Sequence, residues 1–225
     1  MSQKKKVILI GEPGTVQNHL ATVLPQNNMI VSLHPADVTA QKLLGEFVPP
    51  GTSLRVIFTP GEHSEFKLLE HDLETGGTAL LEHVEKQVKA YLLQCQAALK
   101  LLMLAGGGQL WVCDYDDSFA YHLDTPANPI VAQAKAAALR CIAKEYSRMN
   151  IYANSLFLQP LMDESNASDF RAAAGNLKTF AMRYKPGNLN DVSGLLIPFL
   201  QTERLAFSGA VIASGTGVQQ SHLIA

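Results

Sequence analysis

The sequence is short of cysteine, with Cys95, Cys113 and Cys141 its only three. Odd in number, widely spaced and set in apolar helix or strand contexts, they suit buried thiols in a reducing compartment, and neither a disulfide framework nor a metal site is expected from them. Charge is scarce as well. Charged residues make up 17 % of the chain and the formal net charge is −2, which leaves no basic footprint for nucleic acid. The one cationic run, Lys4-Lys5-Lys6, precedes an apolar strand and reads as a solubilising chain end. No apolar stretch reaches the length of a membrane span, and the lysines run into that strand with no signal-peptide cleavage pattern. A cytoplasmic protein with no membrane partner is expected. Apolar residues, by contrast, are plentiful: 47 % of 225, enough to bury a sizeable core in one α/β domain spanning 1–225.

Strand and helix patterns alternate along the chain. Val7 to Ile10 is apolar and β-branched, Gly11-Glu-Pro-Gly14 follows as a turn, and a helical period runs from about 15 to 25. Met29 to Leu33 predicts a second strand, Ala36 to Phe47 a helix, Pro49-Pro50-Gly51 a break and Leu54 to Phe58 a buried strand. A long helix is expected from about Thr78 to Met103, stopped by Gly106-Gly107-Gly108 ahead of the strand Leu110 to Cys113. Asn128-Pro129 opens a second long helix to about Met149, with a face rich in alanine that allows close packing. A strand at Ala153 to Phe157, a helix near Val192 to Leu200 and a strand at Ala210 to Ala213 complete the pattern. This alternation calls for a Rossmann-like, doubly wound parallel sheet with helices on both faces, whose ligands bind in the loops beyond the strands' carboxyl ends.

Gly108-Gln-Leu-Trp-Val-Cys, Val131-Ala-Gln-Ala-Lys135, Asn150-Ile-Tyr-Ala-Asn154 and Lys185-Pro-Gly-Asn follow one another within residues 78 to 217 in an order that resembles a short-chain dehydrogenase/reductase, above all the fatty-acid and polyketide ketoreductases. Gly108-Gln-Leu-Trp-Val-Cys resembles the strand that carries the family serine, and Val131-Ala-Gln-Ala-Lys135 the helix start that carries its Tyr-x-x-x-Lys pair. Asn150-Ile-Tyr-Ala-Asn154 is similar to the next strand. Lys185-Pro-Gly-Asn-Leu-Asn-Asp-Val192 and Phe207-Ser-Gly209 to Gly215 are similar to the C-terminal helix and closing strand. The first 77 residues match in order of elements but poorly in motif, and one N-terminal β/α unit is missing, which leaves six strands.

The resemblance implies a nicotinamide cofactor, and the site positions depart from what that cofactor requires. Glycines in the first turn let the backbone approach a pyrophosphate at a helix N-terminus. Only Gly11 of the family's three remains; Thr15 and Gln17 take the other two positions, Gly14 could restore part of the pattern, and a pattern this short also serves as a plain tight turn. Asp37 could touch an adenine or cap the helix after it, and Ala36-Asp37-Val38-Thr39 resembles the family's third-strand Asp-Val signature. Lys135 is present, but Val131 stands at the position of the tyrosine whose phenol such a lysine activates. The family serine falls on Asp114 or Tyr115. Its Asn-Ala-Gly falls on Thr59-Pro60-Gly61, and its carboxamide-contacting Pro-Gly on Leu158-Gln159.

The loop from Cys113 to His122 gathers three aspartates, Tyr115, Tyr121 and His122 at a strand end. Tyr115 or Tyr121 could replace the lost phenol beside Lys135 with His122 or Asp114 as base, or the loop could be a solvated acidic cap with Lys135 paired to an aspartate. Three functions follow. The leading expectation is a ketoreductase-like pseudoenzyme with no cofactor that pairs with a copy or an active relative through the helices at 78–103 and 129–149, and that could hold an acyl chain. The alternatives are a cofactor-independent dehydratase, isomerase or cyclase, and a divergent NADPH-dependent reductase. The polar segment Asp163 to Tyr184 lies where the family places its substrate lid.

Overall fold

A computed structural model describes residues 4–49, 52–116, 125–162, 166–177 (side chains to 173) and 186–214. Its centre is a six-stranded, wholly parallel sheet: β1 (Lys5–Ile10), β2 (Met29–His34), β3 (Ser53–Phe58), β4 (Gly108–Tyr115), β5 (Ile151–Leu158) and β6 (Val211–Ser214), in the spatial order β2-β1-β3-β4-β5-β6. The helices are α1 (Thr15–Gln26), α2 (Ala40–Leu44), α3 (Glu65–Thr75), α4 (Ala79–Leu104), α5 (Pro129–Tyr146), α6 (Ala167–Leu177) and α7 (Leu189–Gln201), with a short 3-10 turn at Ser147–Met149. This is the Rossmann-like sheet the alternation predicts, with the six strands expected.

The runs of the inner strands are apolar throughout because both faces of the sheet are covered. One face packs Ile8, Ile10, Val56, Phe58, Leu110 and Val112 beneath α4 and α5. The other packs Val7, Leu9, Ile57, Trp111, Leu156 and Leu158 beneath α1 and α7. The alanines of α5 do what small residues allow: Ala132, Ala136 and Ala143 are buried against the sheet. The glycine stop after α4 has a steric reason. At Gly108 φ is +149°, and a Cβ would stand 2.2 Å from the Leu54 carbonyl oxygen, so only glycine lets β4 start beside β3.

Several expectations are corrected. The helix expected over Ala36 to Phe47 shrinks to the five residues of α2; Thr39, not Asp37, is its cap, its hydroxyl accepting the Lys42 N–H at 3.3 Å. Asp37 lies exposed in the turn after β2, and Ala36 to Thr39 forms no strand. The lysine run is not merely solubilising. Lys6 is buried and its ammonium reaches Glu46 at 2.7 Å. Cys141 is exposed, whereas Cys95 and Cys113 are buried. Two helices were not expected: α3, and α6 within the polar segment assigned to a lid.

Candidate functional site

The chain order reverses between β2-β1 and β3-β4, and in sheets of this kind ligands bind beyond the strand ends at that switch. Here Gly11 to Thr15, Thr59 to Ser64 and the ends of β4 and α5 meet.

The turn after β1 is tied to its neighbours by the protein's own side chains. The Gln17 side chain, buried in the first turn of α1, donates to the carbonyls of Gly11 and His34 at 3.2 and 3.4 Å, tying the ends of β1 and β2 together. A Cβ on Gly11 would stand 2.0 Å from the Thr59 hydroxyl, so this glycine is required by the neighbouring β3 turn. Gly14 precedes α1 in extended backbone and faces Glu62. The Glu62 carboxylate accepts the Thr15 N–H at 3.2 Å, where the positive end of the helix dipole is strongest. Glu12 pairs with His63 at 3.3 Å, linking the same two turns. A phosphate placed on the first N–H of α1 would meet the Glu62 carboxylate that this N–H already serves. The exposed Glu62 carboxylate and the buried Gln17 amide stand at the two ends of this turn, where the resemblance implies glycine.

On β4, alternation sends neighbours to opposite faces. Asp114 continues the row of Leu110 and Val112 toward α4 and α5, where its Oδ1 receives the Lys135 ammonium at 2.9 Å. Tyr115 points to the α1 side and donates to Glu62 at 3.4 Å. Tyr115 and Lys135 are therefore on opposite sides of the sheet, and the expected replacement phenol beside Lys135 is not supplied by Tyr115. Tyr121 and His122 lie outside the described residues.

Asp114 is buried, and among the described residues its second oxygen, Oδ2, has no hydrogen-bond partner. Burial pushes its carboxyl above the usual range, against the pull of Lys135. A second buried carboxylate, Glu65, opens α3 and accepts the N–H groups of Ile130 and Val131 at 2.7 and 3.0 Å. It thus caps α5, and burial raises its pKa too, with the two N–H bonds opposing. The Tyr91 phenol on α4 donates to the Lys135 carbonyl at 3.3 Å, and burial holds its pKa well above the ordinary value. The Cys95 thiol beside it is pushed up to about 12 by burial and is no nucleophile at neutral pH.

Between these groups lies a cavity of about 40 Å³, lined by Gly11, Glu12, Thr59, Tyr91, Gln94 and Lys135 among others. At roughly 10–15 Å³ per water it holds about three waters; a separate, open groove of about 770 Å³ lies at the start of α1, lined by Gly14, Thr15, His19, Glu62 and Leu189 among others, within the roughly 300–1,000 Å³ of ligand pockets. Glu62, Glu65 and Tyr91 were not singled out from the sequence. Only Glu65 leaves a signal, an acid following Ser64 at the start of a helical period through Phe66, Leu69 and Leu73. Among the described residues no three His, Cys, Asp or Glu side chains are grouped to hold a metal, and no helix is long and apolar enough to cross a membrane.

No protein-family model matches the chain, and no curated protein matches it by sequence. Solved structures match it in fold. A short-chain type dehydrogenase/reductase from Mycobacterium ulcerans superposes with a TM-score of 0.67 at 14 % identity, over 100 % of this chain and 95 % of that one. An oxidoreductase of the short-chain dehydrogenase/reductase family from Burkholderia thailandensis gives 0.65 at 14 %, over 94 % and 91 %. A short chain dehydrogenase from Leptospira borgpetersenii, solved with bound NAD+, gives 0.62 at 14 %, over 96 % and 92 %.

Proposed function

We propose that this chain, which has the fold of the short-chain dehydrogenase/reductases, is a ketoreductase-like pseudoenzyme that pairs with a copy of itself or with an active relative. The observation that carries the reading is the altered phosphate turn: the Gln17 amide bonded to Gly11 and His34, and the Glu62 carboxylate on the first N–H of α1. A nicotinamide phosphate would have to displace Glu62 while Glu12 stays nearby, losing charge-assisted hydrogen bonds and meeting like charge.

The hydride-transfer chemistry has lost its proton donor as well. Val131 is buried with its N–H bound to Glu65, and Lys135 spends its charge on Asp114 instead of activating a phenol. The pairing role rests on α4 and α5, which keep full length and expose Leu92, Leu93 and Ile130.

One observation favours a second reading, acid and base catalysis without a cofactor. The buried Asp114 Oδ2, without a hydrogen-bond partner among the described residues and beside an ammonium, is a group able to hold or release a proton.

The test is spectroscopic: the full chain is mixed with NADPH or NADH and acetoacetyl-coenzyme A as a β-keto thioester probe. Unchanged nucleotide absorbance and an unchanged Tm support the pseudoenzyme reading; turnover, or a Tm raised by nucleotide, overturns it.

A further inference from the structure

Strand β2 is the outermost strand of the sheet and pairs only with β1. Its outer N–H and C=O groups form a row that a further strand could complete, and native proteins guard such rows with lysine, proline, bulges or a covering element. Met29 to His34 carries no lysine, acid or proline, and among the described residues no strand lies beyond it. Ile30 and Leu33 are 46 % and 54 % exposed on its two faces.

Beside it lies more apolar surface. Ile30 is in register with Lys6, whose ammonium donates to the Phe47 carbonyl, and Phe47 is itself 73 % exposed. The charges next to the strand are consumed internally: Glu46 takes Lys6 at 2.7 Å and His34 at 3.2 Å. Two copies brought edge to edge would therefore oppose no unpaired like charges.

We infer that β2 is a pairing edge for a second copy of this chain, joined antiparallel across a two-fold axis to continue the sheet. With the axis through Val31, Met29 faces Leu33 of the other copy and Ile30 faces its Ser32, so apolar groups meet apolar or small ones. Phe47 and Ile30 on one face of the joined sheet add an apolar margin to the main-chain bonds, the combination by which strand addition gains both affinity and selectivity. One six-residue strand pair buries less than the roughly 1,200–2,000 Å² of stable interfaces, so the association is weak and concentration-dependent. It is separate from pairing through α4 and α5, and neither requires the other.

The experiment is sedimentation velocity of the full chain over a concentration series, beside an I30K/L33K variant and an L92K/L93K variant, with hydrogen exchange of the β2 amides at the lowest and highest concentrations. The strand variant is expected to weaken one association step at least about ten-fold, the helix variant to retain that step, and the β2 amides to exchange more slowly at high concentration. Both changed positions are partly exposed, and circular dichroism at low concentration verifies the fold of each variant. Equal association by wild type and I30K/L33K, no association by wild type at all, or β2 exchange independent of concentration overturns the inference. A wild type with no association step sensitive to L92K/L93K, the strand step being intact, would count only against the pairing role proposed above.

Discussion

The Glu65 carboxylate accepts the backbone N–H of Val131 at 3.0 Å, so the residue standing at the tyrosine position of the family is held by a carboxylate from another helix. With Ile130 bonded to the other oxygen, the N-terminus of α5 is closed by Glu65 as an N-cap residue would close it, but from 65 residues away in sequence.

Replacing Glu65 by Ala leaves those N–H groups buried without an acceptor. The loss expected in urea unfolding is about 2 kcal/mol, and Glu65→Gln, which keeps an acceptor oxygen, recovers part of it. An alanine variant as stable as wild type would show that the cap contributes nothing.

Lys135 and Asp114 form a buried pair, and removing one partner strands the other. Lys135→Met is expected to cost about 3 kcal/mol, toward the lower end for buried pairs because Asp114 can take up a proton. The double variant K135M/D114L is expected to be more stable than K135M alone. Additive losses in the double-mutant cycle would deny the coupling.

Asp114 and Glu65 are both held above their ordinary values of 3.8 and 4.5, chiefly by burial. In the unfolded chain they ionise at those values, while the folded chain keeps its protons to higher pH. Over that window the native state binds more protons, so the contribution of each group to stability falls as pH rises and levels off above the folded pKa. Subtracting the D114N stability curve from that of wild type cancels the other carboxylates. The difference is expected to move against wild type as pH climbs from 3.8 upward, and a flat or opposite difference would contradict it.

Gly11 is needed by its neighbour Thr59, whose hydroxyl would lie 2.0 Å from an added Cβ. Gly11→Ala is expected to destabilise the chain by about 1–3 kcal/mol with no ligand present. Adding Thr59→Gly should restore a good part of that. If G11A is neutral in thermal unfolding, the close packing of the two turns is not what holds this glycine.

The sheet was legible in the sequence because its strands are buried on both sides and read as unbroken apolar runs, Val7 to Ile10 and Leu54 to Phe58 among them. The long helices were legible through Pro129 at the start of α5 and the glycines after α4. Helix α3 was not, because Glu65, Lys67, Glu70, Asp72 and Glu74 dilute its apolar period, and Leu69 and Leu73 face outward. At the site, the Lys135 pairing was readable from the neighbouring aspartates. The placement of Tyr115 was missed because the strand was expected to stop at Cys113. Carried on to Tyr115, the period of two separates it from Asp114. Glu62 and Glu65 act across 47 and 65 residues of sequence, and no local pattern carries such contacts.

The central claim, that the Glu62 carboxylate on the first N–H of α1 stands in the way of a dinucleotide phosphate, is tested most directly by calorimetric titration of NADPH, then NADH, into the full chain. The expected result is no saturable heat up to about 1 mM nucleotide; one-site saturation with a Kd below about 100 μM, near −5.5 kcal/mol, would contradict it.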